Sequence, residues 1–143
     1  MTMRYAYPYD LDVAPDGVTL TFPDVPGAIT CGDTEAEAVA RAEDALVSML
    51  AALVDEGAPL PVPSHSGNRP VAIVPLLEAA KLALHSAMLA GKISNVDLAG
   101  RMGVNEKAVR RLRDPLHRSH IGQVTDALNT LGQRVGLEVM EAA

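Results

Sequence analysis

The chain has 143 residues, 48% of them apolar, and a net charge of −6. That is enough apolar material for a packed core and excludes a disordered chain. A single cysteine, Cys31, excludes an internal disulfide and a cysteine-based zinc site. Three tyrosines, one phenylalanine and no tryptophan leave no aromatic platform for single-stranded bases. No apolar run reaches membrane-spanning length and no signal-peptide pattern is present, so the expectation is a cytoplasmic protein.

The first third reads as strands. "MRYAYPYDLDVA" and "VTLTFP" flank Pro15-Asp16-Gly17 and predict a hairpin, and "AITCGD" predicts a third strand after the turn "PDVPG". Cys31 falls in that strand, where the expectation is a small buried apolar residue. From Thr34 the apolar period changes to about 3.6 and predicts one helix to Asp55, with Val39, Ala42, Leu46, Met49 and Leu53 on its inner face. Thr34 and Glu37 have the spacing of a capping box. Residues 57–69 are Pro-, Gly- and Ser-rich and predict a linker too polar for a core element, and "VAIV" predicts a fourth strand. Three or four strands and one helix make a small α+β domain over residues 1–74.

Pro75 suits the first position of a new helix running to Gly91. In "SNVDLAGRMGVNEKAVRRL" the apolar residues Val96, Leu98, Ala99, Met102, Val104, Ala108, Val109 and Leu112 recur at helical spacing on either side of Gly103. Ser94 and Asn105 stand at capping positions, so the stretch predicts helix, tight turn, helix. Glu106, Lys107, Arg110 and Arg111 form the outer face of the second helix, which suits either a phosphate-lined groove or simple solvation. A fourth helix is predicted from about His120 to Gly132, and "GLEVM" has strand character. Residues 75–143 are thus predicted to be all-helical, a bundle of four or five helices.

The charge is unevenly divided. Residues 1–74 hold three Lys/Arg against eleven Asp/Glu, a net of −8, whereas residues 75–143 hold nine against seven, a net of +2. One half repels a phosphate backbone and the other tolerates it. Such a break predicts two modules with different partners, the acidic one suited to a basic protein.

"FPDVPGAITCGDTEAEA", followed by "VPLLEAAKLAL", "DLAGRMGVNEKAVRRLRDPLHRSHIGQV" and "ALNTLGQRVGLEV", resembles the HicB-family antitoxins that carry a C-terminal helix-turn-helix of the Xre, lambda-repressor-like, type. The resemblance covers nearly the whole chain. It implies a partial ribonuclease-H-like N-terminal domain that binds and occludes a HicA toxin, a small basic messenger-RNA-cleaving ribonuclease. It also implies a C-terminal domain that binds operator DNA and represses the toxin–antitoxin operon, with no catalytic residues and no cofactor. Matched onto the helix-turn-helix pattern, Asn95 takes a phosphate-contacting position and Asn105, Glu106, Lys107 and Arg111 take groove-facing ones, with Arg110 and Arg118 reaching bases or backbone. Arg111 and Glu106 have the chemistry to read guanine and cytosine edges. Phe22, Asp24, Pro26 and Glu35, with the helix over 34–55, are the expected toxin contacts. The chain departs from the pattern in having Gly100 inside a helix, and in having Asp114-Pro115 where a glycine would follow the second helix.

Other readings are open at this level. Asp10 and Asp12, with Asp24 nearby, suit either a metal-dependent nuclease or charges that protect an edge strand from pairing between chains. His117 and His120 lack a third metal ligand at recognisable spacing and read as solvated loop residues, so no metal is expected. A stand-alone regulator sensing a small molecule is the alternative from another class, and it requires an apolar pocket in the first module. The tail reads either as a frayed end or as a strand whose Leu137 and Val139 pair with a second copy, giving a homodimer or homotetramer.

Overall fold

The extended N-terminal run changes partners half-way along. In the computed structural model, which describes residues 2–142, β1 (Ala6–Pro8) pairs antiparallel with β5 (Val71–Ile73), and β2 (Asp10–Ala14) pairs antiparallel with β3 (Gly17–Thr21). Strand β3 also pairs antiparallel with β4 (Ile29–Gly32), giving a three-stranded sheet of order β2-β3-β4. "VAIV" therefore returns as a strand, but onto β1 rather than into the three-stranded ladder. Hydrogen bonds from Tyr9 N to Pro70 O and from Val74 N to Tyr5 O extend the β1–β5 pairing at both ends. Strand β2 is an edge, and Asp10 and Asp12 on it are exposed.

Alternation on β3 buries Val18 and Leu20 and turns Thr19 outward. Two helices cover the buried face where one was predicted: α1 (Glu35–Ala40) and α2 (Ala42–Asp55), broken at Arg41. The break shifts the inward phase, so Ala38, Ala42, Leu46 and Leu50 are buried whereas Val39, predicted inward, is exposed. Thr34 Oγ1 accepts from Glu37 N, while Glu37 reaches back to Asp33 N, one residue before the expected position. Gly32 marks the close approach of β4 to α1: a Cβ there would lie 2.7 Å from Ala38 N. Cys31 is exposed, contrary to expectation, because its side chain alternates onto the uncovered face of the sheet.

The predicted linker is part of the packed structure. Tyr7, fully buried, donates its hydroxyl to Pro61 O at 2.7 Å, and Asp24 accepts from Ser64 N and Ser64 Oγ. Leu60 packs on the first core, so the polar composition of 57–69 conceals an anchored segment.

Helix α3 (Leu76–Gly91) begins after Pro75, which is its cap rather than its first residue. It ends at Lys92, a non-glycine residue in the left-handed conformation (φ 52°). Four helices make the C-terminal half: α3, α4 (Asn95–Met102), α5 (Glu106–Arg113) and α6 (Ile121–Thr130). The capping reading holds: Ser94 Oγ accepts from Asp97 N, Asn105 Oδ1 accepts from Ala108 N, and Gly103 takes φ 69° between the two helices. Leu98, Val109 and Leu112 point inward, but Val96 (69% exposed) and Val104 lie on the surface. Residues 133–142 form no strand, and Leu137 and Val139 are 72% and 86% exposed.

Two clusters of buried side chains result, and α3 contributes to both. Ala79 and Leu82 join the core of Tyr7, Leu20, Phe22, Leu46 and Leu50, while Ala80, Leu84 and Met88 join that of Leu98, Val109, Val124 and Leu128. Gly100 sits exposed within α4, with no atom within 4 Å of where a Cβ would stand. Gly100→Ala is therefore expected to stabilise the chain by about 1 kcal/mol, measured as a shift of the urea midpoint at unchanged slope.

Candidate functional site

An eight-residue helix as polar as α5 has little stability of its own. It is held at three points: the Asn105 cap at its start, Val109 and Leu112 in the core, and a buried cation at its end. Lys81 of α3 is wholly buried, and its Nζ donates to Arg111 O (2.8 Å), Asp114 O (3.0 Å), His117 O (2.6 Å) and Ser119 Oγ (2.8 Å). The last carbonyls of a helix lack intrahelical partners and carry the negative end of its dipole, so an ammonium is suited to close them. Four acceptors share three N–H donors. Burial pulls the Lys81 pKa below its ordinary value, and the carboxylates of Asp114 and Glu78 oppose that pull. This clip replaces the missing glycine and sets the path of residues 114–119.

Around the start of α5, side chains that the sequence reading placed toward DNA bond to one another. Arg110 donates to Glu106 through Nη2 at 2.9 and 2.8 Å, and Asn95 Nδ2 donates to Glu106 Oε1 at 3.1 Å. These hydrogen bonds, Asn95 first and Arg110 second, hold the Glu106 carboxyl below its usual range. Asn95 is half-buried and also accepts from Arg113 Nη1 at 2.7 Å. Asn105, Lys107, Arg111 and Arg118 are exposed, and among the described residues Lys107, Arg111 and Arg118 make no ion pair. The exposed side of α5 and the loop after it therefore offers three unpaired cations, with Asn95 and Glu106 set back as framework.

Of the expected toxin contacts, Phe22 is 2% exposed, edge-on to Tyr9 with ring centroids 5.9 Å apart. It is a core residue, apolar enough to be claimed by the sheet, and its backbone braces the turn through Phe22 N to Ala28 O. Asp24 is half-buried and holds Ser64, whereas Pro26 and Glu35 are exposed. Ten of the eleven carboxylates in residues 1–74 are exposed, so the acidity of this half is presented to solvent. The depression lined by Asp16, Asp33, Glu37 and Arg41 in this half is polar and open. That is unlike the apolar pocket a small-molecule sensor requires. His117 and His120 are exposed, and among the described residues no three metal-ligating side chains converge.

Residues 4–83 match the family model described as the HicB-like antitoxin of bacterial toxin–antitoxin systems. The chain belongs to this family. It is 35% identical to Antitoxin HicB 2 of Photorhabdus laumondii over 96% of this chain and 98% of that protein. It is also 35% identical to Antitoxin HicB of Pseudomonas fluorescens over 99% and 98% of the two chains, and to Antitoxin HicB of Escherichia coli K12 over 92% and 96%. Its role is that of an antitoxin, with a toxin as partner. The family match runs beyond Val74 to residue 83 of α3, as does the first core, which takes in Leu82. Among the described residues no helix is long and apolar enough to cross a membrane.

Sequence reasoning passed over Lys81, His85 and Arg113. The signal available was a lysine and a histidine one turn apart on α3, on a helix that otherwise reads as apolar. Lys81→Met, which keeps the stem and removes the donors, is expected to destabilise the chain by about 3 to 5 kcal/mol, because it leaves buried carbonyls unpaired. Urea unfolding measures the loss, and faster amide exchange over residues 111–119 locates it.

Proposed function

We propose that this antitoxin neutralises a HicA-type ribonuclease through its acidic N-terminal half and represses its own operon by placing α5 in the major groove of operator DNA. The observation that carries the reading is the capped α4–Gly103–α5 unit, with Lys107 and Arg111 exposed on α5, Arg118 exposed in the loop after it, none of the three in an ion pair among the described residues, and an acidic module preceding it in the chain. Unpaired cations are available to phosphates and base edges without first breaking an internal bond. Arg110 is paired with Glu106 on the surface, where an ion pair contributes little, so Arg110 exchanges its partner for DNA at small cost, while Glu106 keeps its bond to Asn95.

Arg111→Ala is expected to cost about 1 to 3 kcal/mol of operator affinity and to relax preference at one base pair. Lys107→Ala and Arg118→Ala should weaken binding evenly across sequences and lower the salt slope by about one unit each. Gel shifts on the DNA upstream of the operon, at fixed and varied salt, read both effects. The same variants co-expressed with the toxin should restore growth as the parent does. Loss of neutralisation together with DNA binding would place both partners on one surface and overturn the division proposed here.

A single helix-turn-helix reads one half-site, and pairing two about 34 to 36 Å apart on a palindrome requires a dimer. The exposed apolar tail suits that role: Leu137 and Val139 have no apolar cover, and the tail meets the rest of the chain through the exposed Arg4–Glu138 pair at 3.0 Å. Truncation after Val135 is expected to leave the thermal midpoint nearly unchanged and to abolish dimerisation and palindrome binding. Light scattering checks it, and an unchanged dimer would move the interface elsewhere.

A further inference from the structure

His85 is fully buried on α3, one turn beyond Lys81, and joins the two halves of the molecule. Its Nε2 lies 2.8 Å from Ala58 O, in the segment that follows α2, and its Nδ1 lies 2.6 Å from Arg113 Nη2, at the end of α5. Arg113 then donates to Asn95 Oδ1, Asn95 donates to Glu106, and Glu106 holds Arg110. One unbroken chain of hydrogen bonds thus runs from the acidic half to the first turn of the helix proposed to read DNA.

The bonding directions fix the state of the ring. A carbonyl only accepts, so Nε2 carries the proton; a guanidinium only donates, so Nδ1 is bare and the imidazole is neutral. A second proton on Nδ1 would set an N–H against an N–H at 2.6 Å and one cation against another. Arg113 on α5 is the charged group facing the ring, the segment after α2 contributes the Ala58 carbonyl, and Lys81 on the same helix is turned to residues 111–119. No carboxylate among the described residues offsets that second charge.

Arg113 is itself an uneconomical residue for stability alone. It makes no ion pair among the described residues, and its Nε is buried without a hydrogen-bond partner. Arg113 is half-buried, and a partly desolvated guanidinium satisfied only by neutral acceptors is a costly way to fill that space. Its two remaining bonds, to His85 and Asn95, join α3 to the start of α4 and, through Asn95, to Glu106.

We propose that His85 is a positioning residue for the DNA-reading surface: neutral, it holds Arg113 and through it Asn95 and Glu106; protonated, it releases Arg113 and lowers operator affinity. This rests on the operator-binding reading. Burial, and then the neighbouring Arg113, depress the His85 pKa below 6.5, while the Ala58 bond opposes them. For a base whose folded pKa is depressed, the unfolded chain takes its proton first as pH falls. Stability is therefore complete above about 6.5 and is lost as pH falls from there through the folded pKa.

The test compares full-length wild type and His85→Gln, whose amide can donate to Ala58 O and accept from Arg113 but does not titrate. Operator affinity is measured at one salt concentration as pH is lowered from 7.5 to below the pH at which the His85 ring itself titrates, followed by its imidazole nitrogen resonances. Both proteins should bind at pH 7.5, and wild type should lose about fivefold or more affinity relative to His85→Gln once the ring is protonated. Every other pH-dependent contribution is common to both proteins and cancels. Equal pH dependence in the two proteins would overturn the proposal, whereas no specific binding by wild type at pH 7.5 would overturn the operator-binding reading beneath it. Imidazole nitrogen resonances of wild type keep the proposal falsifiable should His85→Gln fail to fold. The protonated nitrogen at pH 7.5 must be Nε2, and affinity must fall as His85 titrates; a ring still neutral where affinity has already dropped refutes it.

Discussion

The orientation of the exposed cationic face of α5 depends on one buried ammonium. Helix α5 exposes a polar and cationic surface and is too short to persist alone, so its direction must be imposed from below. Lys81 does so by gathering three carbonyls and a hydroxyl from residues 111–119 into one site. An apolar residue there would leave those carbonyls without partners, and a carboxylate would add negative charge at the negative end of the helix. The loop that carries the exposed Arg118 is shaped by the same contact, through His117 O and Ser119 Oγ on either side of it.

Helix α3 is what makes one molecule of two modules. Its apolar positions divide between two cores, Leu82 to one and Leu84 and Met88 to the other, and its two buried polar residues both bond to other segments. A boundary drawn before Pro75 follows composition and charge correctly, yet it cuts the first core from a side chain that fills it. The segment 57–69 is bound in the same way, through Pro61, Ser64 and the Ala58 carbonyl, by residues distant in sequence. Motions of one half therefore have a direct route to the other.

The elements were legible wherever the signal is local. Apolar spacing and capping residues foretold α4, Gly103 and α5 to within a residue, because Ser94, Asn105 and the left-handed glycine each act on the backbone beside them. The break at Arg41 was not legible, since the helical period continues through it with only a shift of phase. Phe22 was read as a contact because a sequence does not say which of two faces a strand-end aromatic takes; alternation within the core claimed it. The bonding among the polar residues of the site was not legible. Asn95 and Glu106 were matched to a pattern by position, whereas their bonding is set by Arg113 and His85, which lie 18 and 28 residues apart from the atoms they meet.

Charge in this protein is segregated rather than neutralised. Eighteen acidic and twelve basic residues yield three ion pairs among the described residues, two of them between neighbours one helical turn apart. More pairing between the halves would relieve the self-repulsion of the acidic domain, but it would neutralise the exposed carboxylates of one half and the exposed cations of the other. Screening makes the arrangement tolerable: at physiological salt a surface charge is felt over about 8 Å, so carboxylates farther than that from α5 barely oppose the approach of a phosphate. The carboxylate that α5 itself carries, Glu106, is answered locally: Asn95 and Arg110 hold it in hydrogen bonds, so its charge is not left free on the cationic face.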